Sequence, residues 1–159
     1  MEKVQKTIDK PERLWYNSIR QMKGETKMKT FTFNYLNNYK NHGQNAEQSV
    51  RFTLTGEICK ADNVPHHMGS DVLNFQVKSA RATVCKGTDI QAYLDMDASE
   101  AYIYADKQGT AYIMNRVEYT TFITLFGTQT RESSRNGGGA KIRLKDETKA
   151  MMAWLRENS

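Results

Sequence analysis

Between the break at Gly69-Ser70 and Ser79, apolar and polar side chains alternate, and this stretch constrains the fold more than any other. Leu73, Phe75 and Val77 fall on one side; Val72, Asn74, Gln76 and Lys78 fall on the other. A period of two predicts a strand over residues 71–77 with one core face and one mixed face. Upstream, residues 44–55 follow a helical pattern. Ala46, Val50 and Leu54 recur at intervals of four, Glu47 is spaced to pair with Arg51, and Gly56 suits a C-terminal stop. Ile58 begins a further extended stretch, and Asp62-Asn63-Val64-Pro65 reads as a turn.

Downstream, residues 81–85 read as extended before Lys86-Gly87 turns the chain, and residues 90–94 as a short helix. Residues 101–105 and 111–114 are two β-rich runs joined by Asp106-Lys107-Gln108-Gly109, a hairpin signal. Residues 119–126 are aromatic and β-branched, a pattern shared by strands and buried helices. Residues 131–139 read as a polar, Gly-rich loop, 141–144 as a short strand, and 147–156 as a closing helix with Met151, Met152, Trp154 and Leu155 inward. Helices and strands together predict an α/β (α+β) domain.

A chain of 159 residues is the size of one domain, and 38% hydrophobic residues with 16 aromatic side chains is enough to build its core. Residues 1–29 hold eight Lys/Arg against four Asp/Glu, which is most of the net charge of +5. Leu14, Trp15, Ile19 and Met22 lie near helical spacing, and Met28 opens a fresh segment. The expected division is a basic extension over residues 1–27, possessing a short helix, and one domain over 28–159. No apolar run approaches the ~20 residues a bilayer requires, and the N-terminus lacks a signal-peptide pattern, so a cytoplasmic protein without a membrane partner is expected. Cys59 and Cys85 form no CxxC pair, which fits reduced thiols; with His66 and His67 they match no common zinc module. The basic balance suits a nucleic-acid partner, since phosphate binding requires Lys and Arg to displace counterions.

The strand residues also carry chemistry. Asp71 stands at the strand entry, Gln76-Val77-Lys78 follows with Gln76 and Lys78 on one face, and Glu47 lies on the preceding helix. This arrangement resembles the signature of the PD-(D/E)XK nuclease superfamily, an acid entering a strand followed by an acid-x-lysine triplet. The resemblance covers residues 44–79. It implies a restriction-endonuclease-like core: a small central mixed sheet flanked by helices. It further implies a DNA endonuclease of phage, mobile-element, homing or restriction type, acting as a homodimer or higher homo-oligomer. Mg²⁺, with Mn²⁺ able to substitute, would be held by Glu47, Asp71, the Gln76 amide oxygen and the Val77 carbonyl, since hard cations prefer oxygen. Lys78 would orient the attacking water or stabilise developing charge.

Gln76 departs from the family pattern, being neutral where the triplet usually has an acid, and only four residues separate it from Asp71. The alternative is therefore a catalytically inactive DNA-binding module on the same fold, and a third reading is a protein-interaction domain. Singly, Asp71 could close a turn, Lys78 could be a solvated edge lysine, and Glu47 could serve only Arg51. Candidate DNA contacts are Ser79 and Arg81 beside the motif, His67 (with His66) on the loop entering Asp71, and the basic segment of Arg131, Arg135, Lys141, Arg143 and Lys145.

Overall fold

The computed structural model describes residues 27–37, 41–57, 72–97, 99–131 and 138–159. The N-terminal extension, Cys59, His66, His67, Asp71 and Arg135 lie outside the described residues. In chain order run β1 (Lys29–Thr32), α1 (His42–Thr55), β2 (Phe75–Lys78), β3 (Thr83–Lys86), α2 (Ile90–Asp95) and β4 (Ala101–Ala105). There follow β5 (Thr110–Met114), α3 (Arg116–Phe126), β6 (Gly127–Arg131), β7 (Ala140–Leu144) and α4 (Lys149–Glu157). The domain is mixed α and β, with a four-stranded sheet β1-β5-β4-β2 and a three-stranded sheet β3-β7-β6.

The four-stranded sheet is mixed: β2 pairs with β4 in parallel, while β4 with β5 and β5 with β1 are antiparallel. A parallel pair requires a crossover between its strands. Here that crossover carries β3 and α2, and β3 joins the second sheet. All five residues of β4 are buried, so both faces of this strand are covered. One face presents Ala101, Ile103 and Ala105, and with Ala111, Phe75 and Val77 it packs against Ala46, Val50 and Leu54 of α1. Small side chains on both partners let the helix lie close to the sheet. The other face presents Tyr102 and Tyr104, which pack with Met114, Tyr119, Phe122, Ile142 and Leu144 between the two sheets. Tyr102 and Tyr119 stack with centroids 4.2 Å apart at 5°.

Buried tyrosine hydroxyls need acceptors. Tyr104 donates to Glu147 Oε2 at 2.7 Å, Tyr35 to the Asp106 carbonyl at 2.6 Å, and Tyr112 to Asp106 Oδ2 at 3.4 Å. The Asp106 carboxylate, 1% exposed, also accepts from the backbone N–H groups of Gln108 and Thr110, each at 2.9 Å, which closes the β4–β5 hairpin.

Caps fix the helix boundaries. The Asn41 side chain accepts from Gln44 N, so α1 begins two residues before the sequence pattern does, and Gly56 ends it with φ +77°. Over residues 119–126 the structure is helical. A capping box between Asn115 and Glu118 starts α3, and Thr120, Thr121 and Thr124 donate their hydroxyls to carbonyls four residues back. Thr148 caps α4, which begins at Lys149 rather than 147 because Glu147 is engaged with Tyr104.

Three expectations are corrected. The strand over residues 71–77 begins only at Phe75, because Leu73 is left-handed (φ +54°) and Val72 and Phe75 close a tight turn through reciprocal backbone bonds. Leu73 is consequently 44% exposed and not a core residue. The extended run expected over residues 81–85 begins only at Thr83: Ala82 N bonds the Ser79 carbonyl and Arg81 has φ +65°. Finally, β6 pairs along β7 where no strand was expected, since Thr128-Gln129-Thr130 offers no apolar alternation.

Gly109 provides a test of the hairpin. It has φ +97°, and a Cβ there would stand 2.5 Å from the Phe33 carbonyl oxygen. Gly56, with φ +77°, has open space around it. Gly109→Ala is expected to cost about 2 kcal/mol or more and Gly56→Ala about 1 kcal/mol. Urea denaturation that ranks Gly56→Ala as the more damaging change would contradict this packing.

Candidate functional site

Gln76 pairs with Tyr102 and Lys78 with Tyr104, so both motif side chains leave β2 on the tyrosine-bearing face. Phe75 and Val77 leave on the opposite face, against α1. Glu47 is half-buried on α1, next to Ala46. The helix carrying Glu47 and the side chains of Gln76 and Lys78 therefore flank opposite faces of the sheet. Among the described residues β2 is an end strand, so a centre uniting these groups would be closed around that edge. Asp71, one residue before the Val72–Phe75 turn, lies outside the described residues.

The amide at position 76 has a local explanation. Gln76 is 8% exposed, and its Nε2 donates to Asp97 Oδ2 at 3.2 Å. Asp97 Oδ1 accepts from Ser99 N at 2.9 Å. Two residues upstream, Asn74 Nδ2 donates to Glu100 Oε2 at 2.8 Å, and Glu100 N donates to the Asn74 carbonyl at 2.9 Å. Two amide–carboxylate pairs thus tie β2 to the connection between α2 and β4. A carboxylate at position 76 would face Asp97 directly. With Nε2 committed to Asp97, the amide oxygen Oε1 is turned away from that acid.

Lys78 donates to the Thr83 carbonyl at 3.2 Å, which places its ammonium at the junction of the two sheets. Ser79 is buried, 2% exposed, beneath any surface a DNA backbone could touch. Arg81 is exposed, and its carbonyl accepts from Arg143 Nε at 2.6 Å across 62 positions of sequence. Arg131 and Arg143 are exposed and Lys141 half-buried, all on the β6–β7 hairpin. The structure therefore brings Arg81 to Arg143, a proximity sequence spacing could not show. Asp97, Tyr102 and Lys86 had no assigned role from sequence. Asp97 reaches Gln76 only through the crossover, and nothing local signals that.

Burial is the main cause that pushes the Tyr102 phenol up to about 12, with Asp97 adding to it and Arg116 opposing it. Arg116 bridges α3 to α2, donating to the Gln91 carbonyl and Oε1 at 3.1 Å each and pairing with Asp95 at 2.5 Å. Tyr112 is likewise pushed up to about 12, first by burial and then by Asp106.

For a divalent ion, the donor chemistry fits in part. Gln76 Oε1 is a hard oxygen donor on the Lys78 face, and Asp71 would add the charge the amide lacks. Among the described residues no three His, Cys, Asp or Glu side chains gather into a metal-binding group. No helix among them is long and apolar enough to cross a membrane.

Two outcomes follow from these contacts. Tyr102 and Tyr112 titrate near 10 when unfolded, so their neutral forms stabilise the fold fully below pH ~10, and that contribution is lost as pH rises towards 12. Melting temperature should fall steeply over this window, and less so for Tyr102→Phe; a parallel fall in both proteins counts against the account. Gln76→Glu would set two carboxylates against each other at the Asp97 contact. It should be less stable than wild type at pH 7 by about 1–3 kcal/mol, with the gap closing as pH drops towards 4 and one carboxyl takes a proton. A pH-independent difference would show that the pair is not formed.

No protein-family model, curated protein or solved structure matches this chain.

Proposed function

We propose that this chain is a metal-dependent DNA endonuclease with a restriction-endonuclease-like core, acting as a homodimer. The observation that carries the reading is the display of Gln76 and Lys78 on one face of a short strand hydrogen-bonded in parallel to a buried neighbour. The Val72–Phe75 turn, which follows Asp71 in sequence, feeds that strand directly, and α1 with Glu47 flanks its other face. A divalent ion bound there would polarise the phosphate and activate a water. Asp71 and Gln76 Oε1 are the oxygen donors that would hold it on the Lys78 face, with Glu47 reaching it only around the open edge of β2. Lys78, anchored on the Thr83 carbonyl, sets a fixed positive charge beside the motif, where it would oppose charge developing on a phosphate. Two protomers would present two such centres, one for each strand of a duplex.

A second reading has its own support: Gln76 is bonded to Asp97 and Lys78 to Thr83, so both motif residues already serve structural contacts. On that reading the chain binds DNA without cutting it.

Supercoiled plasmid incubated with the protein and Mg²⁺, Mn²⁺ or EDTA separates the two. Nicking is expected with either metal and not with EDTA, and Lys78→Ala, checked for folding by circular dichroism, should reduce the rate by ~10²–10³. Metal-independent retardation of the plasmid without nicking selects the binding module. Neither nicking nor retardation at low salt would dismiss both readings.

A further inference from the structure

Among the described residues the three-stranded sheet ends on β3 at one side and on β6 at the other, and the two edges differ. The pairing of β3 shifts register between Thr83 and Cys85, an irregularity that blunts an edge. In contrast, β6 keeps regular register with β7 over all five of its residues and holds neither a proline nor a carboxylate. Thr128, Gln129, Thr130 and Arg131 are exposed. One contact fixes the direction of its backbone groups. Lys145 N donates to the Phe126 carbonyl at 3.0 Å, and an antiparallel ladder alternates, so Thr128 and Thr130 exchange backbone bonds with Arg143 and Lys141. Gln129 and Arg131 therefore turn N–H and C=O to the open edge, where no described residue pairs with them. Gly127 turns its carbonyl there as well, its N–H being bonded to the Ile123 carbonyl.

We propose that β6 is the seam of a dimer, pairing antiparallel with β6 of a second copy to give one continuous sheet with three strands from each protomer. This names the contact of the homodimer proposed above and needs neither its metal nor its DNA. A two-fold through Gln129 uses the whole strand. The two Gln129 residues exchange backbone bonds, and each Arg131 N–H meets the partner's Gly127 carbonyl, which leaves only the Arg131 carbonyl to water. Thr128 stands opposite the partner's Thr130, a favourable cross-strand pair. On the other face the two Gln129 side chains meet, and each amide can both donate and accept. Arg131 stands opposite a glycine, so no like charges face each other. A register centred on Arg131 would instead set two guanidiniums against one another. The strand is its own complement in hydrogen bonding and in charge, and this selects a second copy over an unrelated chain. A five-residue seam is small beside the ~1,200 Å² of a stable interface, so the dimer is weak and forms only at high concentration.

The test is sedimentation velocity of the intact protein from ~5 to ~500 µM, with amide exchange read by NMR at both ends of the range. Wild type should pass from monomer to dimer. Exchange at the Gln129 and Arg131 amides should slow as it does so, while the Thr128 and Thr130 amides are slow throughout. Gln129→Pro removes an N–H that β7 does not use, so this variant should fold and stay monomeric. Gln129→Lys and Gln129→Glu change an exposed position, and each sets like charges opposite one another at the two-fold. Each alone should weaken dimerisation about tenfold or more, and an equimolar mixture of the two should recover it. A dimer undiminished in both charge variants, or strengthened by Gln129→Glu alone, would overturn the seam and leave the homodimer standing on some other surface. Wild type that is still monomeric at ~500 µM would overturn both, and the edge would then take another chain or none.

Discussion

The structure depends on the two unlike faces of β4. Ala101, Ile103 and Ala105 give α1 a shallow surface on one side, while Tyr102 and Tyr104 fill the space between the sheets on the other. Large rings alone would not make a stable interior, because each phenol brings a hydroxyl that must be bonded once buried. Glu147 accepts from Tyr104 and Asp106 from Tyr112, and they do so from beyond the ends of β7 and β4. The same two acids therefore serve buried phenols and fix the connections around them. Asp106 closes the hairpin, and Glu147 holds the entry to α4 while accepting from Lys107 N.

This arrangement also sets where function can reside. Among the described residues β2, like β1, is an end strand of the four-stranded sheet, and its outer edge faces away from it. Gln76 and Lys78 stand there, each drawn into a contact that fixes its direction. The contact between Gln76 and Asp97 gives the amide a physical purpose that does not depend on metal: it joins two segments where a carboxylate would repel. Lys86, Lys141 and Arg143 lie on the other sheet, which β3 reaches through the crossover. Lys78 spans the short segment between the two sheets through its bond to the Thr83 carbonyl.

Much of the element order was legible from the sequence because its signals are local. Four-residue spacing of Ala46, Val50 and Leu54 marked α1, and Gly56 marked its end. The turn residues Asp106 to Gly109 marked the hairpin, since only a short polar loop separates its strands. The illegible parts had competing local signals or none. Residues 119–126 fit strand and helix equally until the Asn115–Glu118 capping box was formed. Val72 and Leu73 continue the alternation of β2, yet Leu73 turns left-handed. Residues 127–131 lack any apolar pattern because their strand is held by β7 from one side and meets solvent on the other.

For the candidate site, period two by itself determined that Gln76 and Lys78 share a face, because side chains of a strand alternate wherever it lies. Sequence equally determined the basic balance and the mixed α and β class. Tertiary structure alone decided what meets those side chains. Asp97 reaches Gln76, Arg143 reaches Arg81 and Lys86 stands opposite Lys141 through a crossover and a strand register. Contacts between residues 21 to 62 positions apart are set by how sheets and helices pack, and no local pattern encodes that distance.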